Sequence, residues 1–257
     1  MNPSVICFPQ PGKAKSNDVM AAFAEGAGGL VSTGPRDARY GLPAAFFGVV
    51  GIEDVFARAM ASGRDWFYGD NSYFDRCRGK FFRFGQNEFQ LSRLARPDHA
   101  RAKALGLAPA KWQSGKHVIV VEQSPHFLRL SGVGDDWAAR TVAELKRYTD
   151  RPIRLRPWRR DKDKAAAGLR ADLAGAWALV THMSAAAVEA LLSGVPVFVT
   201  GPCAASPMAS GELSAIKTPH YPDGRENWAA GLAGHQWTIE ELRDGTAWRV
   251  LHGDDSA

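Results

Sequence analysis

The sequence of 257 residues predicts an α/β fold made of two halves, each an open parallel sheet with helices on its faces. Three observations predict it. From Lys116 onward, short apolar runs of strand length alternate with amphipathic stretches of helix length. The first third repeats that alternation with less contrast, and Pro97 to Gly115 between them is a polar, Ala/Lys-rich connection suited to a linker. Strand and helix alternation at this spacing requires parallel strands joined by right-handed crossovers. The boundary falls near Gly115, giving halves of 1–115 and 116–257.

In the first half, Val5 to Phe8 is an apolar run closed by the Pro/Gly-rich Pro9 to Lys13, hence a strand and a loop. A helix follows, with Ser16 or Asn17 as its cap, Val19, Met20, Ala22 and Phe23 as its apolar stripe, and Gly26 to Gly29 as its stop. Pro43 to Gly51 reads as another strand or a turn and Ile52 to Ala61 as a helix, ended by Ser62 and Gly63. Asp65 to Phe74 is aromatic and dotted with turn formers, and reads as something other than a plain strand. Lys80 to Phe84 is a short alternating run.

In the second half, Val118 to Val121 is a buried-type strand, Ser124-Pro125-His126 a loop, and Trp137 to Tyr148 a helix. Ile153 to Arg156 is the next strand, followed by a basic loop and a helix through Leu169 and Leu173. Trp177 to Val180, Ser184 to Ser193 and Val195 to Val199 complete a Rossmann-like strand, helix, strand series. No GxGxxG is present, which disfavours a dinucleotide cofactor.

Composition excludes several classes. Hydrophobic residues at 45% and charged residues at 23% describe a globular chain rather than a disordered one. Cys7, Cys77 and Cys203 are odd in number and lack CxxC spacing, so neither a disulfide framework nor a zinc site is implied, and a reducing, cytoplasmic setting is expected. No segment approaches the roughly 18 apolar residues of a membrane span. The net charge of +5 is unevenly shared: residues 1–165 carry 27 Lys+Arg against 17 Asp+Glu, whereas 166–257 carry 5 against 10. The basic part is suited to a polyanionic partner such as DNA, with an ordinary solvated surface as the alternative.

The chemistry concentrates in THMSAAAVEALLSGVPVFVTGP. A strand delivers the chain to Thr181, His182 and Ser184, and the small Ala185, Ala186 and Ala187 open a helix. Free backbone amides, small side chains and nearby hydroxyls make an anion site. Ser184 as a mere helix cap is the alternative. Glu189, amid Val188, Ala190, Leu191 and Leu192, would need a donor if buried, and ribose hydroxyls supply one; a solvated helix glutamate is the alternative. After the next strand, Gly201 and Pro202 begin a small-residue loop at a strand carboxyl end, where ligands of open α/β sheets bind.

The run SAAAVEALLSGVPVFVTGP resembles the donor-site segment of GT-B glycosyltransferases: a small-residue loop, a helix bearing a glutamate, a glycine, and a Pro-Val strand. The stretch Trp228 to Trp248 is similar to the tail of compact bacterial and phage-borne glycosyltransferase-like proteins related to surface-polysaccharide enzymes. The resemblance covers roughly residues 117–250 and is loose in the first third. It implies two Rossmann-like halves, an acceptor-side domain followed by a nucleotide-sugar domain, with C-terminal helices packing back. It also implies a nucleotide-sugar co-substrate, UDP-linked in the first instance, with no tightly bound cofactor or metal. Within it, Ser184 and Ala185 meet the donor diphosphate and Glu189 the ribose.

Arg154 and Arg156 project from one side of their strand, and their guanidinium forks suit a diphosphate, although edge-strand arginines of no special role look the same. Ser124 and His126 lie beyond the first strand of this half. Inverting transfer requires a base; Asp70, in the aromatic stretch WFYGDNSYF, is the candidate, with His126 as the second. An Asp-Asn turn under aromatic rings is the bland reading of Asp70. The expected activity is sugar transfer to a hydroxyl acceptor: a hydroxymethylated pyrimidine in DNA if the basic surplus decides, or a lipopolysaccharide or capsule glycan if the polysaccharide resemblance decides. A non-catalytic nucleotide or nucleic-acid binder, and an epimerase or hydrolase on the same scaffold, are the other classes.

Overall fold

The structure is a computed structural model describing residues 3–32, 41–74, 79–91, 94, 97–158 and 162–253, the side chains of 162–167 excepted. Cys77 lies outside the described residues. The chain forms two compact units, Met1–Leu91 with Gly234–Ala257, and Ser92–Ala233. The expected boundary near Gly115 therefore falls inside the second unit. The physical reason is that the expected linker is bonded down. Asp98 caps a short helix, α3 (His99–Ala104), and beyond it Ala110 N donates to Leu192 O at 2.8 Å and Gln113 N to Gly194 O at 2.9 Å.

In the first unit β1 (Ile6–Phe8), α1 (Ala14–Ala27), β2 (Leu30–Val31), β3 (Ala44–Phe47), α2 (Glu53–Ala61), β4 (Trp66–Asn71) and β5 (Phe82–Gln86) follow one another. α1 ends where expected, at Gly28 with φ of 63°. Its start differs: no side chain caps it, because the buried Ser16 hydroxyl is used elsewhere, accepting from Gln10 N at 2.9 Å and donating to Phe47 O at 3.2 Å. β4 corrects the turn reading of Asp65 to Phe74. Trp66 to Asn71 pair with β5 over Phe67 to Asn71 and with β3 over Trp66 to Gly69, so the backbone groups of this aromatic run enter ladders on both edges.

The second unit continues with β6 (His117–Val121), α4 (Pro125–Leu130), α5 (Trp137–Leu145), β7 (Ile153–Arg156), α6 (Lys162–Leu173), β8 (Ala176–Thr181), α7 (Ala186–Leu192), β9 (Val197–Val199) and α8 (Arg225–Gly234). Its four strands are all parallel, in the order β7-β6-β8-β9. Val118, Val120, Ala178, Val180 and Phe198 form one face, packed under Leu128 of α4, Trp137 and Leu145 of α5, and Leu213 and Ile216 of a 3₁₀ turn. Chain order and strand order disagree between β6 and β8: the chain leaves β6 toward β7 and leaves β8 toward β9, in opposite directions. Loops after these two strands therefore part, which opens a crevice at their carboxyl ends.

The tail returns to the first unit as β10 (Gln236–Trp237), α9 (Ile239–Arg243) and α10 (Thr246–Leu251). β10 pairs antiparallel with β5, giving the sheet order β10-β5-β4-β3-β1-β2, in which β1 to β4 are parallel. Thr238 and Glu241 make a reciprocal capping box at α9. α9 lies hard against α1: a Cβ on Gly26 would stand 2.0 Å from Leu242 O, so only glycine permits the approach. Phe23 stacks on Phe84 at 4.3 Å and meets Trp248 edge-on at 5.8 Å, which seats α10 on the same core. The C-terminal helices thus pack back on the first unit, as expected.

Candidate functional site

The crevice at the carboxyl ends of the second sheet holds most of the candidate residues. Thr181 closes β8 and is fully buried; its hydroxyl donates to Val121 O at 3.1 Å, tying β8 to β6 rather than facing a ligand. Beyond it, Met183 N donates to Gln123 Oε1 at 3.1 Å, so the loops after β6 and β8 are bridged at the point where they part. Ser184 Oγ accepts from Ala186 N at 3.2 Å, and its carbonyl accepts from Ala187 N at 3.1 Å. The amides of Ser184 and Ala185 have no hydrogen-bond partner among the described residues, and both residues are half-buried. α7 spans only seven residues, so its dipole is small and the loop amides themselves are the donors on offer.

His182 is 6% exposed, and desolvation by burial holds its imidazole below the usual histidine range, favouring the neutral ring. Its Nδ1 lies 3.0 Å from Thr200 Oγ1, which accepts from Trp137 Nε1 at 2.9 Å. Gly201 N donates to His182 O at 3.1 Å, and a Cβ on Gly201 would stand 2.4 Å from the imidazole Cε1. Glycine at 201 is therefore a condition of the ring's position. Pro202 follows on the surface.

Trp137 also walls a cavity of about 150 Å³ at the carboxyl ends of β6 and β7, with Gln123, Leu128 and Trp158 around it and Glu122 and Asp135 on its rim. Glu189 is half-buried on α7, flanked by buried Val188 and Ala190. Ser124 caps α4, accepting from Phe127 N at 3.1 Å, so the expected loop is a capped helix with Pro125 at its first position. His126 is half-buried in the first turn of that helix.

Arg154 and Arg156 leave the edge strand β7 on the side of α6. Arg156 pairs with Asp172 of α6, and Arg154 Nη1 lies 3.4 Å from His117 Nε2. The contacts described for these two are with α6 and with His117 of β6. The far end of α7 is held by Arg225, whose Nη1 donates to Leu191 O at 2.7 Å and Nη2 to Ala110 O at 2.8 Å while the guanidinium stacks 3.6 Å above Trp112.

In the first unit Asp70 is fixed through both oxygens. Oδ2 accepts from Arg83 Nη2 at 3.1 Å, and Oδ1 from Asn71 N at 2.7 Å. Arg83 is itself buried, donating from Nε to Asn71 O at 3.0 Å and from Nη1 to Phe89 O at 3.0 Å, above the Tyr73 ring. Burial and the neighbouring Asp70 push the Tyr68 phenol far above its usual range, so it acts as a neutral group. Burial likewise pushes the Cys7 thiol well up, which makes it a poor nucleophile.

Two α/β units, one with an all-parallel switch-point sheet, and a C-terminal segment that returns to the first unit define a GT-B-like fold. No protein-family model matches the chain, and no curated protein sequence matches it. Two solved structures from Thermosulfurimonas dismutans are similar in fold. KpsC, beta Kdo 2,4 transferase, aligns with a TM-score of 0.51 at 12% identity over 93% of this chain and 92% of its own. KpsC, beta Kdo 2,7 transferase, aligns with a TM-score of 0.54 at 10% identity over 95% and 98%. The likeness is one of fold, and it does not support the compact phage-borne type that the sequence resemblance implied. Among the described residues no helix is long and apolar enough to cross a membrane.

Trp137, Thr200, Gln123 and Arg83 were not singled out by the sequence. Trp137 reads as an ordinary apolar helix residue, and only its indole N–H gives it a second task. Arg83 sits in an alternating run, and its pairing with Asp70 depends on strand register.

Proposed function

We propose that the chain is a glycosyltransferase that moves a sugar from a nucleotide-activated donor to a hydroxyl of a bacterial surface glycan. The observation that carries this reading is the switch-point crevice of the second unit, where the amides of Ser184 and Ala185, without a partner among the described residues, come two and three residues after the buried His182. Phosphate oxygens are the natural acceptors for such donors. The donor sugar's nucleotide is assigned to this unit, with Glu189 as the ribose partner and Gly201 and Pro202 on the opposite loop.

In the reaction the acceptor oxygen attacks the anomeric carbon, the bond from that carbon to the donor's phosphate breaks, and the nucleotide leaves with the electron pair. The acceptor proton passes to a base. Asp70 is assigned that role: a carboxylate oriented by Arg83 and Asn71 loses little freedom on receiving a proton. His126 is the second candidate.

Support for a glycan acceptor comes from the two fold neighbours, both Kdo transferases. The basic surplus before residue 166 is the observation favouring DNA. Isothermal titration with CMP, UDP and GDP tests the donor site, and turnover of labelled nucleotide sugars tests the activity. No nucleotide binding by the wild type sinks the reading; binding without turnover on any acceptor leaves a nucleotide-binding protein. A gel shift on hydroxymethylated duplex at two salt concentrations decides the acceptor, since salt-sensitive binding restores DNA and its absence favours the glycan.

A further inference from the structure

A tryptophan indole can only donate, so in the Trp137–Thr200–His182 chain the Thr200 oxygen must accept from Trp137 Nε1 at 2.9 Å. The hydroxyl then has one hydrogen left, and among the described residues its one acceptor within reach is His182 Nδ1 at 3.0 Å. If Nδ1 accepts, the single proton of a neutral imidazole resides on Nε2. The reverse arrangement places two donors on one hydroxyl oxygen and leaves its hydrogen without a protein acceptor.

Two further observations concern the other edge of the ring. Nε2 has no hydrogen-bond partner among the described residues, although the side chain is more than nine-tenths buried. Residue 201 leaves the Cε1 end of the ring uncovered: a Cβ there would stand 2.4 Å from Cε1 and 2.9 Å from both Nδ1 and Nε2, so any other side chain would displace the ring. His182 directly follows β8, and Gly201 lies two residues past β9, which places the ring at the carboxyl edge of the sheet. The amides of Ser184 and Ala185 are two and three residues further on.

We propose that Trp137 and Thr200 are positioning residues that lock His182 in its Nε2–H tautomer, so that the imidazole presents a neutral donor to a phosphate oxygen of the nucleotide. This rests on the nucleotide-donor reading and deepens it. A neutral donor suits a product that must leave: it orients a phosphate without adding a full opposite charge. Desolvation of the ring works in the same direction, because it disfavours the imidazolium.

The test uses the full chain with ¹⁵N-labelled histidine. In the wild type at neutral pH, the His182 ring is expected to show a protonated Nε2 and a bare Nδ1. Thr200→Val is expected to release it into mixed tautomers, Thr200→Ser to restore the lock, and Trp137→Phe to weaken it. Titration with CMP, UDP or GDP, whichever the wild type binds, is expected to move the Nε2 resonance. His182→Ala is expected to weaken that binding about tenfold or more, as befits a hydrogen bond to a charged group. A protonated Nδ1 in the wild type overturns the lock. Nucleotide binding that neither moves Nε2 nor weakens in His182→Ala overturns the ligand assignment while the proposed function stands. A wild type that binds none of the three nucleotides overturns the function and this ligand together.

Discussion

The loops that follow β6 and β8 start from neighbouring strands of one sheet and end differently. After β6 the chain enters α4 through Ser124, which caps Phe127 N, with Pro125 supplying no amide at all. After β8 it enters α7 through Ser184, whose hydroxyl takes Ala186 N and whose carbonyl takes Ala187 N, and the amides of Ser184 and Ala185 just before the helix have no partner among the described residues. α4 is thus secured at its beginning. α7 is secured at its far end, where Arg225 and Ala110 N take the carbonyls of Leu191 and Leu192. The amides on offer to a ligand are those of the loop before α7, which neither the Ser184 contacts nor the carboxyl-end anchor uses, whereas the loop before α4 spends Ser124 on its cap and has a proline at the first helical position.

That contrast breaks most visibly at Arg225. Arg225→Met keeps apolar bulk over Trp112 but removes the guanidinium stack and two hydrogen bonds, leaving Leu191 O to Gly194 N alone, and is expected to cost about 2 kcal/mol. Urea denaturation measures it, and an unchanged midpoint would show that α7 has another anchor. Next comes Ala185→Pro, which removes one open amide where φ is already −59°. It is expected to weaken nucleotide binding about tenfold, again the value of one charge-assisted hydrogen bond, with little change in thermal midpoint. Calorimetric titration beside a melting curve reads both, and unchanged affinity would remove Ala185 from the site.

Ser124→Ala serves as the opposite case. Loss of the cap is expected to cost about 1 kcal/mol and to leave nucleotide affinity untouched, by the same two measurements. If affinity fell instead, the β6 loop would belong to the binding surface.

The smallest effect concerns pH. The folded His182 titrates below its ordinary 6.5 because its ring is desolvated. The unfolded chain therefore binds the extra proton first, and stability falls as pH drops through about 6.5 and below. His182→Gln is expected to flatten that part of the stability profile relative to wild type; parallel profiles would mean that the ring is solvated.

Much of the second unit is readable from sequence because β6, β8 and β9 are apolar on both faces and its helices are separated by clear breakers. β7 and β8 match the expected runs to within a residue, and α7 begins two residues after Ser184. β4 was misread because aromatic residues and an Asp-Asn pair carry both strand and turn signals, and only pairing with β3 and β5 decides between them. The division of the chain was hidden for a similar reason. Residues 97–115 look like a linker until Ala110 and Gln113 find the end of α7, and nothing local announces that β10 joins β5. At the site, the sequence pointed to Thr181, His182 and Ser184 as a segment. It was silent on the division of labour by which Thr181 ties strands, Ser184 folds back on its own turn, and Trp137 reaches Thr200 across 63 positions.

The most direct test follows the amide resonances of the ¹⁵N-labelled full chain while CMP, UDP or GDP is added. The account predicts that a nucleotide binds and that Ser184 and Ala185 shift most, with Phe127 and the rest of α4 nearly still. Binding that shifts Arg154 and Arg156 on β7 while Ser184 and Ala185 stay in place would contradict it.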